Sequence, residues 1–284
     1  MKEPKLIGLL IAWGAELWIR PAIKQALEYC DEVFICVAAH SESLKRFEDN
    51  THEIAMSFKD VKMISFDEIS THTQIKSKIL NKMLEESKCF AIDNWVWVLD
   101  VDEFYPESSF REIKEVVRKS EFDQITTKTK FFLINTKHYL KAFYSRLFRI
   151  KKGKINRFKA TQKWRGGEKT FILPSEDGMF HYSLLTNLGL RREQWKTEYP
   201  GNIQANKTNW LDNIYLNYDL NNEEYWINKN RELFGIKSPF YADCISPDKD
   251  GKLFRYEGRH PKFVEEAGLT KIEDFRKCYK GIYE

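Results

Sequence analysis

Short apolar runs alternate with amphipathic segments over residues 1–100 of the chain. Each apolar run predicts a strand buried on both faces, and each segment with apolar residues at helical spacing predicts a helix. Strands are expected at 6–12, 33–39, 61–64 and 95–99, and helices at 16–29, within 40–58 and at 74–87. This alternation is typical of a parallel sheet with helices on both faces, which binds ligands beyond the carboxyl ends of its strands.

The pattern changes after residue 110. A helix is expected at 110–119, followed by strands at 123–134, 144–150 and 169–173 that join the sheet as antiparallel additions. Beyond residue 185 the chain is polar and rich in asparagine, which predicts helices packed on the main domain. We therefore predict an α/β mixed sheet over residues 1–200 and a mainly helical extension over 201–284.

An acidic cluster follows the fourth predicted strand. Asp100, Asp102 and Glu103 come directly after five apolar residues. In an extended chain, two aspartates two positions apart point to the same side, where they suit a hard cation such as Mg²⁺ or Mn²⁺. The alternative interpretation is a surface turn in which these acids cap a helix. It is less favoured because the cluster lies at the edge of the sheet where ligands bind.

Several motifs taken together resemble the family 2-like glycosyltransferases of GT-A fold. They are LIGLLIAWGAE, EYCDEVFICVAA, KSKILNKML, WVWVLDVDEF, YSRLFRI and MFHYSLL, in this order over roughly residues 5–200. The resemblance implies a GT-A-like, Rossmann-type sheet. It also implies a metal-dependent, inverting hexosyl or pentosyl transfer from a nucleoside-diphosphate sugar, with a UDP-sugar favoured, to an acceptor hydroxyl in glycan biosynthesis.

The resemblance also implies roles for individual residues. Asp100, Asp102 and His181 match the positions that hold Mn²⁺ or Mg²⁺, although a structural role for His181 is equally open. Relatives often carry an aspartate near the end of strand two, where this chain has Ala39-His40, so the nucleotide stays open. The implied donor-binding residues are Ala12, Trp13, Glu16, Ala39, His40, Lys76, Lys78, Asn81 and Asp100.

A basic segment at 151–169 holds eight lysines or arginines and one acid, Glu168. Three interpretations of this segment stay open: a solvated face, a lobe that closes over the diphosphate, or a binding surface for an anionic acceptor. An inverting transfer needs a carboxylate that takes the acceptor's proton. Relatives carry an acid where this chain has Gln162, so Glu168 is the first candidate for the base and Glu103 the second.

Composition narrows the choice of protein class. The chain has 284 residues, of which 42% are apolar and 14% aromatic, and this predicts a globular protein. A net charge of +4 does not demonstrate nucleic-acid binding, which is disfavoured but stays open. Five cysteines without a C-x-x-C pair and no apolar run of about 20 residues predict a cytoplasmic protein, or one peripheral at the membrane surface.

Three other protein classes share features with this sequence. An aspartyl phosphatase would carry its D-x-D after the first strand, with Thr or Val where Phe104 stands here. A nucleotidyltransferase of related fold would need a glycine-rich turn after strand one, and the sequence there has a single glycine, Gly14. A degenerate GT-A domain that binds nucleotide or sugar without transfer is the main alternative, because Gln162 cannot act as a base.

Overall fold

The computed structural model describes residues 3–39, 41–68, 72–119, 121–152, 157–158, 164–165, 169–198, 202–235 and 252–278. Its first part is a parallel sheet with strand order β3-β2-β1-β4. The strands are β1 (Leu6–Ala12), β2 (Glu32–Val37), β3 (Lys62–Met63) and β4 (Trp95–Asp100). The helices between them are α1 (Glu16–Tyr29), α2 (Glu42–Lys45), α3 (Thr51–Met56) and α4 (His72–Glu85).

The second part extends this sheet with antiparallel and parallel strands. Its elements are β5 (Glu103–Phe104), α5 (Glu107–Lys119), β6 (Gln124–Leu133), β7 (Asn135–Arg149), β8 (Arg157–Phe158), β9 (Trp164–Arg165), β10 (Thr170–Ile172) and β11 (Met179–His181). β7 runs antiparallel to both β4 and β6, and β11 lies between β6 and β5. The strand expected at 169–173 is β10, and it runs parallel to β6 rather than antiparallel.

Both faces of the parallel strands are buried, which explains their uninterrupted apolar runs. Along β1, Leu6 and Leu10 face the core under α1, where Trp18 and Ile23 pack. The alternate residues of β1 face the core under α4. Period-two alternation along each strand therefore supplies two separate cores, one on each face of the sheet.

The described C-terminal residues are mainly helical and pack on the sheet. They form α6 (Leu188–Glu198), α7 (Asn202–Asn213), α8 (Glu223–Phe234), β12 (Phe254–Arg255) and α9 (Lys262–Glu266). Trp210 and Leu211 of α7 cover β6 and β7, while Phe263 and Phe275 join the core under α1. The predicted α/β mixed sheet flanked by helices, with a mainly helical extension, is confirmed. Its GT-A likeness and the domain boundary at residue 200 stay predictions.

Among the described helices, none is both long and apolar enough to cross a bilayer. The cysteines that the structure describes, Cys30, Cys36, Cys89 and Cys278, are free thiols.

Candidate functional site

A cleft opens where the strand order of the parallel sheet reverses. β1 is central, and the chain passes from it to β2 on one side and later to β4 on the other. Ile11 is in register with Asp100, so Ala12 and the acidic turn emerge side by side at the carboxyl ends of these two strands. The cleft is lined by Ile11, Ala12, Trp13, Gly14, Ala15, Trp18, Ala38, Ile75, Lys76, Ile79, Asp100, Val101, Asp102, His181, Ser183, Thr186, Leu190, Arg191 and Gln194.

The turn from β1 into α1 forms one wall of the cleft. Gly14 has a φ of +57°, which favours glycine, and a Cβ atom there would lie 2.7 Å from Cδ2 of Leu190 on α6. The indole Nε1 of Trp13 donates a hydrogen bond of 2.7 Å to the carbonyl of Leu44. These contacts fix the wall beside the predicted nucleoside position, with Trp13 as an aromatic surface.

Asp100 ends β4 and binds two basic side chains. Its Oδ1 accepts a hydrogen bond of 2.6 Å from Nζ of Lys76, and its Oδ2 accepts one of 2.8 Å from Arg146 on β7. Burial raises the pKa of Asp100, but the charges of Lys76 and Arg146 outweigh it and hold the pKa well below its usual value. Asp100 is therefore ionised and held by both cations.

Glu103 does not reach the cleft. Its side chain is fully buried, and Nε of Arg146 donates to both carboxylate oxygens at 2.9 and 2.8 Å. A base must reach the proton of the acceptor hydroxyl. The prediction of Glu103 as a base therefore does not fit this structure, because its carboxylate is closed off from any substrate.

Asp102 lies in the turn after β4 and faces His181 and Arg191. Its Oδ1 is 3.5 Å from Nε2 of His181, and its Oδ2 is 3.6 Å from the guanidinium of Arg191. Burial raises the pKa of Asp102, while His181 and Arg191 lower it by more, so the net shift is downward. Both carboxylate oxygens of Asp102 are thus charged and only loosely bound by these neighbours.

A divalent cation fits Asp102 and His181 better than it fits Asp100. Two ligand atoms about 2.1 Å from one cation are separated by roughly 3 Å at right angles, close to the Oδ1–Nε2 distance of 3.5 Å. The other nitrogen of His181, Nδ1, is buried without a hydrogen-bond partner in the described structure and lies 3.9 Å from the Glu103 carboxylate. A metal-binding histidine commonly donates its other N–H to a carboxylate, and Glu103 lies near Nδ1 without forming that hydrogen bond.

Asp100 is a poorer ligand because both its oxygens bind the chain's own cations. Within the described ranges, no three His, Cys, Asp or Glu side chains are grouped so as to hold a metal. Two protein ligands leave the remaining positions to water and phosphate oxygens, as Mg²⁺ sites often do. The predicted Mn²⁺ or Mg²⁺ stays a prediction, with Asp102 and His181 as the side chains that fit it.

The structure brings six of the predicted residues together in the cleft, namely Ala12, Trp13, Lys76, Asp100, Asp102 and His181. Glu16 is bound instead to Asn50, and Ala39 packs beside the cluster of Leu44, Phe47 and Leu190. Lys78 pairs with Glu68, and both line a different depression together with Asn81. His40, Gln162 and Glu168 lie outside the described residues.

Two arginines of the site were missed by the sequence reasoning. Arg146 lies within β7, and a charged residue in a strand indicates a solvent-facing position unless its partner is known. Arg191 is followed directly by Arg192 in a polar segment. No sequence pattern there indicates which of the two arginines lines the cleft and which lies on the surface. Neighbouring positions on a helix point in different directions, and the structure selects Arg191 for the cleft.

The fold and the cleft define an α/β protein whose switch-point site combines acidic and basic side chains and suits an anionic ligand. No protein-family model matches the sequence, and no curated protein matches it either.

Among solved structures, the chain is similar to S. aureus TarS 1-349, with a TM-score of 0.43, 11% identity and coverage of 79% of this chain and 78% of that chain. A second S. aureus TarS structure has a TM-score of 0.42 and 11% identity over 80% of this chain and 48% of the other, so this chain spans about half of it. A 4-diphosphocytidyl-2C-methyl-D-erythritol synthase has a TM-score of 0.35 and 13% identity, over 52% of this chain and 76% of that chain.

Proposed function

We propose that this chain is a glycosyltransferase, which takes a sugar from a nucleoside-diphosphate sugar and transfers it to an acceptor hydroxyl. The supporting observation is the cleft itself: Lys76 and Arg191 approach the pair of Asp102 and His181 at the switch point of a parallel sheet. Such a point is where α/β sheets bind nucleotides. The acceptor would be a glycan, and the basic segment 151–169 favours an anionic one.

The donor would lie along the carboxyl ends of β1 and β4. The nucleoside would contact Trp13 and Ala12, and the diphosphate would lie beside Lys76, whose ammonium has donors beyond the one used by Asp100. Asp102 and His181 would hold a divalent cation. Such a cation supplies positive charge to the leaving diphosphate.

The transfer would be an inverting displacement. The acceptor oxygen forms a bond to the anomeric carbon while the bond from that carbon to the phosphate oxygen breaks. The nucleoside diphosphate keeps the electron pair, and the acceptor's proton goes to a base. With Glu103 buried against Arg146, Glu168 remains the candidate for the base.

Calorimetric titration with UDP and the other nucleoside diphosphates, in the presence of Mn²⁺, tests the donor site. We expect one nucleoside diphosphate, UDP first, to bind, and Asp102→Asn to weaken this binding by at least about tenfold, since a charged ligand is lost. Asp212→Asn, which changes an aspartate on α7 outside the cleft, is the matched control. If no nucleoside diphosphate binds, the proposal is wrong.

Hydrolysis of sugar nucleotides separates an enzyme from a binding domain. A transferase is expected to release the nucleoside diphosphate slowly from its own donor when water replaces the acceptor, and Asp102→Asn should abolish this release. Tight binding with no release and no transfer from any sugar nucleotide would instead identify a non-catalytic binding domain.

A further inference from the structure

Arg191 is a partly buried cation whose hydrogen-bonding capacity is only partly used. It lies on α6 and lines the cleft, and its side chain is 19% exposed. One terminal nitrogen donates a hydrogen bond of 2.8 Å to the carbonyl of Ser183. Its Nε is buried and has no hydrogen-bond partner among the residues that the structure describes.

The carboxylate nearest to Arg191 does not satisfy it. The distance from its guanidinium to Oδ2 of Asp102 is 3.6 Å, which is beyond a good hydrogen bond. Arg146, by contrast, is fully engaged by Glu103 and Asp100 and cannot turn to a ligand without leaving Glu103 unpaired. Because the Arg191 guanidinium lines the cleft without a close carboxylate partner, it is suited to an anionic ligand that accepts its N–H groups.

We propose that Arg191 binds the diphosphate of the donor and remains bound to it as the sugar leaves. This inference rests on the proposed function and assigns the contact to a residue outside the acidic turn. A guanidinium offers its N–H groups in a planar fork that matches phosphate oxygens. Cleavage of the bond between sugar and phosphate adds negative charge to the terminal phosphate oxygen, which strengthens this contact during the reaction.

The geometry gives Arg191 and Lys76 separate positions. Lys76 reaches the cleft from α4 and binds Asp100 at the end of β4, while Arg191 reaches it from α6 and faces Asp102. Asp100 keeps its contact with Arg146 whichever way Lys76 turns. In the proposed complex, one phosphate group of the diphosphate contacts Lys76 and the terminal one contacts Arg191.

The test compares nucleotides that differ by one phosphate group. Affinities for UDP and UMP, or for the corresponding pair of the nucleotide found by calorimetry, are measured with Mn²⁺ and with EDTA. We expect Arg191→Met to weaken UDP binding by about 10- to 100-fold in Mn²⁺ and to change UMP binding by less than about threefold. Arg191→Lys should recover part of the loss because it restores the charge without the fork.

Arg192→Met is the matched control, since the neighbouring Arg192 pairs with Asp212 on α7 outside the cleft. Its UDP and UMP affinities should equal those of the wild type. Thermal unfolding of each variant identifies any loss of folded protein. Equal UDP binding by Arg191→Met and the wild type, or an equal loss for UDP and UMP, would overturn the inference. If the wild type binds neither nucleotide, the proposed function itself fails.

Discussion

Arg146 and Glu103 form a buried ion pair in which Nε of the arginine contacts both oxygens of the carboxylate. Arg146→Met is expected to destabilise the protein by about 3–5 kcal/mol, because it leaves the buried carboxylate of Glu103 without the cation that binds both its oxygens. Glu103→Met leaves the guanidinium bound to Asp100 and should cost less. Urea unfolding of both variants measures the two free energies of unfolding.

The double variant Arg146→Met/Glu103→Met provides the control. Because neither charge is then left unpaired, its loss should be smaller than the sum of the two single losses by at least about 1 kcal/mol. Additive losses would contradict a coupled pair.

Lys76 and Lys78 lie on the same helix, α4, but only Lys76 lines the cleft. Residues two positions apart on a helix are about 200° apart around its axis, so only one of them can face the cleft. Lys76→Met is expected to weaken nucleoside-diphosphate binding about tenfold, since it removes a charged hydrogen bond. Lys78→Met removes a cation that pairs with Glu68 outside the cleft and should leave the affinity unchanged. Calorimetry of both variants checks this, and equal effects would count against the assignment.

Gly14 combines a positive φ with a close neighbour. Gly235 at the end of α8 has a similar φ of +64°, but nothing lies within 4 Å of the Cβ that alanine would add there. Gly235→Ala is therefore expected to cost about 1–2 kcal/mol from backbone conformation alone. Gly14→Ala should cost more, because its Cβ would also collide with Leu190.

Thermal and urea unfolding compare the two glycine variants. In a Leu190→Ala background the cost of Gly14→Ala should fall towards that of Gly235→Ala. An equal cost for Gly14→Ala in both backgrounds would show that the contact with α6 is not tight.

His260 predicts a pH dependence of stability. Burial lowers its pKa to about 4, and Nδ1 lies 2.7 Å from the hydroxyl of Tyr182. In the unfolded chain His260 binds a proton at about pH 6.5, whereas in the folded protein it does so only near pH 4. The free energy of unfolding should therefore fall as the pH drops from 6.5 towards 4. Once the ring is protonated, Nδ1 carries a proton and can no longer accept a hydrogen bond from the Tyr182 hydroxyl.

Urea unfolding between pH 7 and pH 4 measures this contribution. His260→Gln should lose less stability over the window than the wild type does, and the exposed His52→Gln should behave as the wild type. An unchanged profile for His260→Gln would mean that another group carries the pH dependence.

The sequence predicted best the elements whose apolar residues follow one regular spacing throughout. β1 and α1 have the expected bounds, Leu6–Ala12 and Glu16–Tyr29, because their patterns are uninterrupted and their ends carry polar residues or glycine. β7 is longer than predicted, since its first half alternates polar residues and is held as a strand by pairing with β6. Strand partners are set by tertiary contacts, which is why the parallel course of β10 was missed.

The sequence predicted the acidic residues of the candidate site but not the arginines that contact them. Asp100 and Asp102 follow an apolar strand, and this local pattern located the cleft. The cations that bind them come from distant segments, and a single arginine such as Arg146 gives no local sign of its partner. Helix phase could have separated Lys76 from Lys78 in advance, because the two cannot share a face.

Three carboxylates lie at positions 100 to 103, while two of the three cations nearest to them, Arg146 and Arg191, come from β7 and α6. A chain synthesised only as far as α5 carries these acids with Lys76 alone. Their mutual repulsion opposes closure of the first half until the later elements arrive. We therefore expect the cleft to acquire its balance of charge only once β7 and α6 have packed on the sheet, and a chain that ends at α5 to lack it.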